Sequence, residues 1–314
     1  MAATTNAAGA GTLIDPQTLM SIKSLEMRAR VVVQGFWSGI HRSPYHGFSV
    51  EFTEYRGYSP GDDLRYLDWK LLARSDRLYI KKFEDETNLR CHLLVDGSKS
   101  MTFGSQGFTK SEYAHTLAAT LAYFLNQQGD AVGLLKFDET VREYVPARHR
   151  HGHLRQLMHA LEKPANGNAT DIASPLKRIA ELVTKRGLMV LVSDMLAPLD
   201  ELEQNLALLS ASGHEVLLMH LLDPAELTFD FDKSAQFIDL ETGKDVYVDP
   251  ELARRDYTER FNAHVEAVEL ACRKNGIGYQ RFTTDRPMEL ALSDYLRERL
   301  RRGRIVRRNK ARGE

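Results

Sequence analysis

Residues 91–101 read CHLLVDGSKSM, and the fold turns on how this stretch is read. CHLLVD (91–96) is a short apolar run, the pattern of a strand covered on both faces. It ends on an aspartate, and DGSKS (96–100) follows as a polar loop whose glycine eases a turn. Asp96, Ser98 and Ser100 recur at every second position. On a straight strand the outer two would lie about 13 Å apart, at about 3.3 Å per residue, too far to share a ligand. A loop that curls after Asp96 brings the three oxygens to one point.

Working outward, TKSEYAHTLAATLAYFLNQQG (109–129) predicts a helix with a Thr109/Glu112 capping box, a long apolar stripe and Gly129 at its stop. AVGLLKFD (131–138) reads as a strand and TVREYVP (140–146) as its hairpin partner. Helices are predicted over HLRQLMHALE (153–162) and from about Ile172 to Thr184. GLMVLVSD (187–194) is a second fully buried strand, followed by a helix over DELEQNLALLSAS (200–212), ended by Gly213, and the strand HEVLLMHLL (214–222). DPAELTFDFDKSAQFIDLETGKDVYVDP (223–250) reads as a β-hairpin excursion with its turn at ETGKD. A long helix from about Pro250 to Asn275, the strand GYQRFTT (278–284) and a closing helix from Met288 complete the chain.

Upstream, a helix is expected from about Leu19 to Val33, stopped by Gly35. SVEFTEY (49–55) and RLYIKKFE (77–84) read as strands, with a turn at SPGDD (59–63) and a short helix through LRYLDWKLLAR (64–74) between them. Strands alternating with helices imply an α/β fold with a mainly parallel central sheet and helices on both faces. The expected division is a disordered lead at 1–18, a small N-terminal α+β attachment at 19–84, the α/β domain at 85–300 with the 223–250 insertion, and a basic tail at 301–314.

In an open α/β sheet, ligands bind at the carboxyl ends of the strands. Asp96 and Asp194 both end buried strands, and Thr170 lies in the loop before a helix. With Ser98 and Ser100 they form a set of hard oxygen donors, suited to Mg²⁺ or Mn²⁺ rather than zinc. Helix capping accounts for any one of these residues alone.

The DxSxS–Thr–Asp pattern of Asp96, Ser98, Ser100, Thr170 and Asp194 resembles the metal-ion-dependent adhesion site of von Willebrand factor A domains. That resemblance implies a Rossmann-like von Willebrand A fold, and a divalent ion whose open position is filled by a carboxylate of the bound partner. EFTEYRGYSPGDDLRYLDWKLLAR (51–74) followed by DGSKSM is similar to the bacterial "domain of unknown function 58" proteins. This second resemblance implies cooperation with a MoxR-type AAA+ ATPase in assembling or activating client complexes. Three positions depart from the adhesion-site pattern: Lys99 stands where a small residue is common, and Ala169 and Met195 where glycine is usual.

Arg56, Asp62, Asp63, Arg65, Asp68, Trp69 and Lys70 form either a partner surface or an ion-paired seam holding the attachment. The histidines of HRHGH (149–153) lack a fourth ligand nearby and read as a solvated loop. Forty-two lysines and arginines balance 43 acidic residues, so no global field draws the chain to nucleic acid. RERLRRGRIVRRNKAR (297–312) is a concentrated basic tail, which leaves nucleic acid or an anionic surface as an alternative partner. No run approaches the roughly 20 apolar residues of a membrane span. Cys91 and Cys272 form no CxxC pair, so neither a zinc site nor a disulfide framework is expected, and a cytoplasmic location fits.

No Ser-His-Asp, P-loop or GxSxG pattern is present. A phosphohydrolase using Asp96 as nucleophile would need an acid for the leaving group, and the residue two positions on is Ser98. The expectation is therefore a non-catalytic, metal-dependent protein-binding module.

Overall fold

The computed structural model describes residues 13–42, 54–57, 79–82, 89–163, 173–183, 185–231, 235–238 and 245–296. Its centre is a six-stranded sheet. β3 (Arg90–Asp96) lies between β4 (Ala131–Phe137) and β6 (Leu188–Ser193), parallel to both. β7 (Glu215–Leu222) and β10 (Gly278–Thr283) extend the sheet in parallel beyond β6, and β5 (Val141–Arg148) closes the other edge antiparallel to β4. Two separate antiparallel pairs are β1 (Glu54–Gly57) with β2 (Tyr79–Lys82) and β8 (Ala235–Ile238) with β9 (Asp245–Val248).

The order across the main sheet is β10-β7-β6-β3-β4-β5. Counted along the chain within that sheet, this is the doubly wound 3-2-1-4-5-6 arrangement, whose crevice opens where the order reverses. Here the reversal falls between β3 and β6.

Side chains on β3 alternate between two cores, as a period of two requires. Cys91, Leu93 and Val95 face one apolar cluster, and Leu94 faces another. The first cluster is covered by α2 (Leu25–Arg42), α3 (Lys110–Gln127), α4 (His153–Glu162) and the helical residues 288–296. The second lies under α5 (Ala173–Leu182), α6 (Leu199–Ala211) and α8 (Pro250–Lys274). α3 carries the expected reciprocal cap: the Thr109 hydroxyl accepts from Glu112 N at 3.1 Å, and Glu112 Oε2 accepts from Thr109 N at 2.8 Å.

Two expectations need correction. The single helix expected from about Leu19 is two, one at Pro16–Met20 and α2 from Leu25, and Gly35 does not end the second, because α2 runs through it to Arg42. Glycine costs a helix interior about 1 kcal/mol. Beyond it, Phe36 and Trp37 pack on Phe124 at centroid distances of 6.2 and 5.8 Å, and burial of such rings outweighs that cost. Leu25, Ala29, Val32, Val33 and Phe36 join the core of the α/β domain itself, as does Leu19 of the short helix α1 (Pro16–Met20). The 223–250 excursion also begins differently. It opens with the short helix α7 (Pro224–Thr228), capped reciprocally by Asp223 and Glu226, before the β8–β9 hairpin.

Candidate functional site

Asp96 is the last residue of β3, at the reversal of strand order. Gly97 N donates to Phe137 O at 2.7 Å, so the backbone stays tied to β4 for one residue more. Ser98 N then donates to Asp96 Oδ1 at 2.8 Å, which bends the chain back over its own aspartate. A 3₁₀ turn at Lys99–Thr102 follows, pinned by the fully buried Met101. The curl brings the Ser98 and Ser100 hydroxyl oxygens to 3.0 Å of each other. Lys99, between them, is half-buried in the turn.

From the neighbouring strand, Ser193 Oγ donates to Asp96 Oδ2 at 2.6 Å. Asp194 follows it, fully buried, with Oδ1 accepting from Leu196 N at 3.2 Å. Met195 has φ +52°, the left-handed region that explains why glycine suits this position. Three contacts hold it there. Met195 N donates to Ser193 Oγ at 2.9 Å, His264 Nε2 lies 2.9 Å from Met195 O, and His220 Nε2 lies 2.8 Å from Asp194 O. A carbonyl only accepts, so His220 carries its proton on Nε2, and Nδ1 accepts from the Tyr279 hydroxyl at 3.0 Å. Burial drives His220 down to about 4, and it is neutral near pH 7.

Burial and the neighbouring Asp194 charge push the Asp96 carboxyl up to about 6. Burial also opposes ionisation of Asp194, but an ammonium outweighs it and holds this carboxyl below its ordinary value. That ammonium belongs to Lys110, the first residue of α3. It is fully buried, with Nζ 2.8 Å from Asp194 Oδ2 and paired also with Glu226.

Asp96, Ser98, Ser100 and Asp194 therefore meet at the crevice, while Thr170 lies outside the described residues. Arg56 sits in β1; Asp62, Asp63, Arg65, Asp68, Trp69 and Lys70 lie outside the described residues, as does the tail after 296. In HRHGH, His149 and His151 are exposed, and His153 is buried with Nε2 2.7 Å from Val132 O. Among the described residues no group of three or more His, Cys, Asp or Glu is placed to hold a metal. The adhesion-type set is of another kind, two carboxylates and hydroxyls.

Sequence reasoning missed Lys110, Glu226 and Ser193. One signal was available for the first: a lysine at the first position of a helix faces the positive end of the macrodipole, a placement that calls for nearby carboxylates.

Residues 54–267, more than half of the chain, match the family described as Protein of unknown function DUF58. The chain belongs to the DUF58 family. An uncharacterized protein of Mycobacterium tuberculosis and another of Mycobacterium bovis are each 29% identical to it over 282 residues, covering 88% of both chains. Among solved structures, BatB from Bacteroides thetaiotaomicron is similar, with a TM-score of 0.43 and 13% identity over 67% of this chain and 98% of that one. The SpRpn10 VWA domain is similar with a TM-score of 0.38 and 10% identity over 66% and 95%. The sheet order and the antiparallel edge strand of this DUF58 chain are those of a Rossmann-like von Willebrand A fold. No helix among the described residues is long and apolar enough to cross a membrane.

Proposed function

We propose that this chain is a non-catalytic, metal-ion-dependent protein-binding module. Asp96, Ser98, Ser100 and Asp194, with Thr170, would hold Mg²⁺ or Mn²⁺. A bound divalent cation supplies a Lewis-acidic position that an aspartate or glutamate of the partner can complete, since Mg²⁺ takes six oxygens. The family resemblance directs the partner towards a MoxR-type AAA+ ATPase, with this chain as adaptor for client complexes.

The observation that carries the reading is the meeting of two buried carboxylates with the Ser98–Ser100 hydroxyl pair at the strand-order reversal. The donor set fits a hard cation: all its atoms are oxygens, and each carboxylate oxygen engaged here retains a lone pair. Asp96 is supported by Ser193 and by its own loop, and Asp194 Oδ1 by Leu196 N, so both carboxylates are oriented before a cation arrives. Repulsion between Asp96 and Asp194 is relieved by a cation between them.

A hydrolase reading is less well served. Ser98, which would have to serve as the acid, is a hydroxyl, a poor acid near pH 7, and it is already engaged with Ser100.

Calorimetric titration of Mg²⁺ and Mn²⁺ into the purified chain tests the proposal. One saturable site lost in Asp96→Asn is expected; absence of any site, or a site indifferent to this substitution, overturns it.

A further inference from the structure

Lys110 is expensive where it stands. A cation in the first turn of a helix opposes the macrodipole. Its side chain is fully buried, and an ammonium out of water must be closely paired to be tolerated. Two of its three donors are accounted for by Asp194 Oδ2, at 2.8 Å, and by Glu226 Oε1. The Phe103 ring stands 5.9 Å from Nζ, on a loop tied to the helix by Lys110 N donating to Phe103 O at 2.8 Å. Glu226 is itself anchored, because its Oε2 accepts from Asp223 N at 2.8 Å. Asp223 in turn accepts from Ser105 N and Oγ and from Thr284 Oγ1, fixing the surrounding loops.

A helix start needs no lysine, and a stable core needs no buried ion pair of this kind. What the placement achieves is a positive charge on the same carboxylate that the proposed cation would use. Lys110 Nζ is paired with Glu226 as well as with Asp194, so it has a second seat and can leave Asp194 while keeping a carboxylate partner.

We propose that Lys110 is a built-in competitor for the cation at Asp194, and that Glu226 receives its ammonium when the cation enters. The inference rests on the metal-dependent reading above and adds a regulatory element to it. In the absence of partner, the lysine weakens cation binding. An incoming acidic side chain that completes the cation's shell tips the exchange, so cation and carboxylate bind together more tightly than either binds alone.

The test is Mn²⁺ affinity, read by electron paramagnetic resonance of the free ion, for wild type, Lys110→Met, Glu226→Gln and the double variant. Removing a charge a few ångströms from a site is worth at least about tenfold in affinity. Lys110→Met is expected to bind Mn²⁺ about tenfold or more tighter, and Glu226→Gln several-fold weaker. In the Lys110→Met background the Glu226→Gln effect should be clearly smaller than in wild type, because the part that acts through the lysine is gone and only the direct attraction of the carboxylate remains.

A purely structural role for the pair would weaken binding in both single variants, and that result overturns the proposal. An undiminished Glu226→Gln effect in the double variant overturns it too. Wild-type binding that Lys110→Met leaves unchanged refutes the competitor alone and spares the metal reading. Silence of all four proteins towards Mn²⁺ refutes both. Should Lys110→Met not fold, Lys110→Gln drops the charge while keeping a donor for the carboxylates, and the same increase is expected.

Discussion

Ser193 Oγ lies 2.6 Å from Asp96 Oδ2, a buried bond between residues 97 positions apart that locks the ends of the two central strands together. The same oxygen accepts from Met195 N at 2.9 Å, so one hydroxyl serves both the aspartate and the strained turn beside it.

Ser193→Ala should therefore strip a donor from a buried carboxylate and an acceptor from a buried amide. Each such loss costs about 1–3 kcal/mol. A total of about 2–4 kcal/mol in urea unfolding, measured in EDTA, is expected. A loss below about 0.5 kcal/mol would mean that the two strand ends are held by other contacts.

Met195→Gly sets two effects against each other. Glycine would relieve a positive-φ residue, worth about 1–2 kcal/mol. It would also delete a fully buried side chain, worth about 2–5 kcal/mol. The variant should be less stable by about 2 kcal/mol despite its easier backbone. A stabilised variant in the same unfolding experiment would show that strain, not packing, dominates this turn.

The first helices are core elements, and Phe36→Ala should behave as a core truncation. Phe36 is 8% exposed and meets both Trp37 and Phe124. A loss of about 3–5 kcal/mol is expected by denaturant unfolding. A loss under about 1 kcal/mol would mark α2 as a loosely attached arm.

Two further histidines, buried His92 and half-buried His115, add to His220 on the acid limb of stability. Burial is the main cause that depresses His92 to about 4 and His115 to about 3. Both are neutral in the folded chain near pH 7, whereas an unfolded histidine titrates near 6.5. As pH falls through 6.5 the unfolded state takes up protons that the folded state refuses, so stability is full above this value and is lost towards pH 3–4. His115→Gln should flatten that loss, as followed by unfolding at stepped pH. An identical slope in wild type and variant would contradict the assignment.

β3 and β6 were legible because a strand buried on both faces leaves an uninterrupted apolar run. Asp96, Ser98, Ser100 and Asp194 were legible because each lies at or just beyond the end of such a run. Lys110 was not, because its partners stand 84 and 116 positions away and only the folded sheet brings them to it. Gly35 misled for the opposite reason: a local stop signal was overridden by rings packing on a distant helix. The cap of α7 is visible in DPAE (223–226), where Pro224 and Glu226 are placed to start a helix, but the alternation that follows reads more strongly as strand.

The central claim is that a partner binds through a cation held by Asp96 and its neighbours. A quantitative pull-down from native lysate, with wild type and Asp96→Ala each in Mg²⁺ or EDTA, addresses it most directly. The account predicts a partner retained only by wild type in Mg²⁺. Retention of the same partner under all four conditions would contradict it and move the binding surface away from this site.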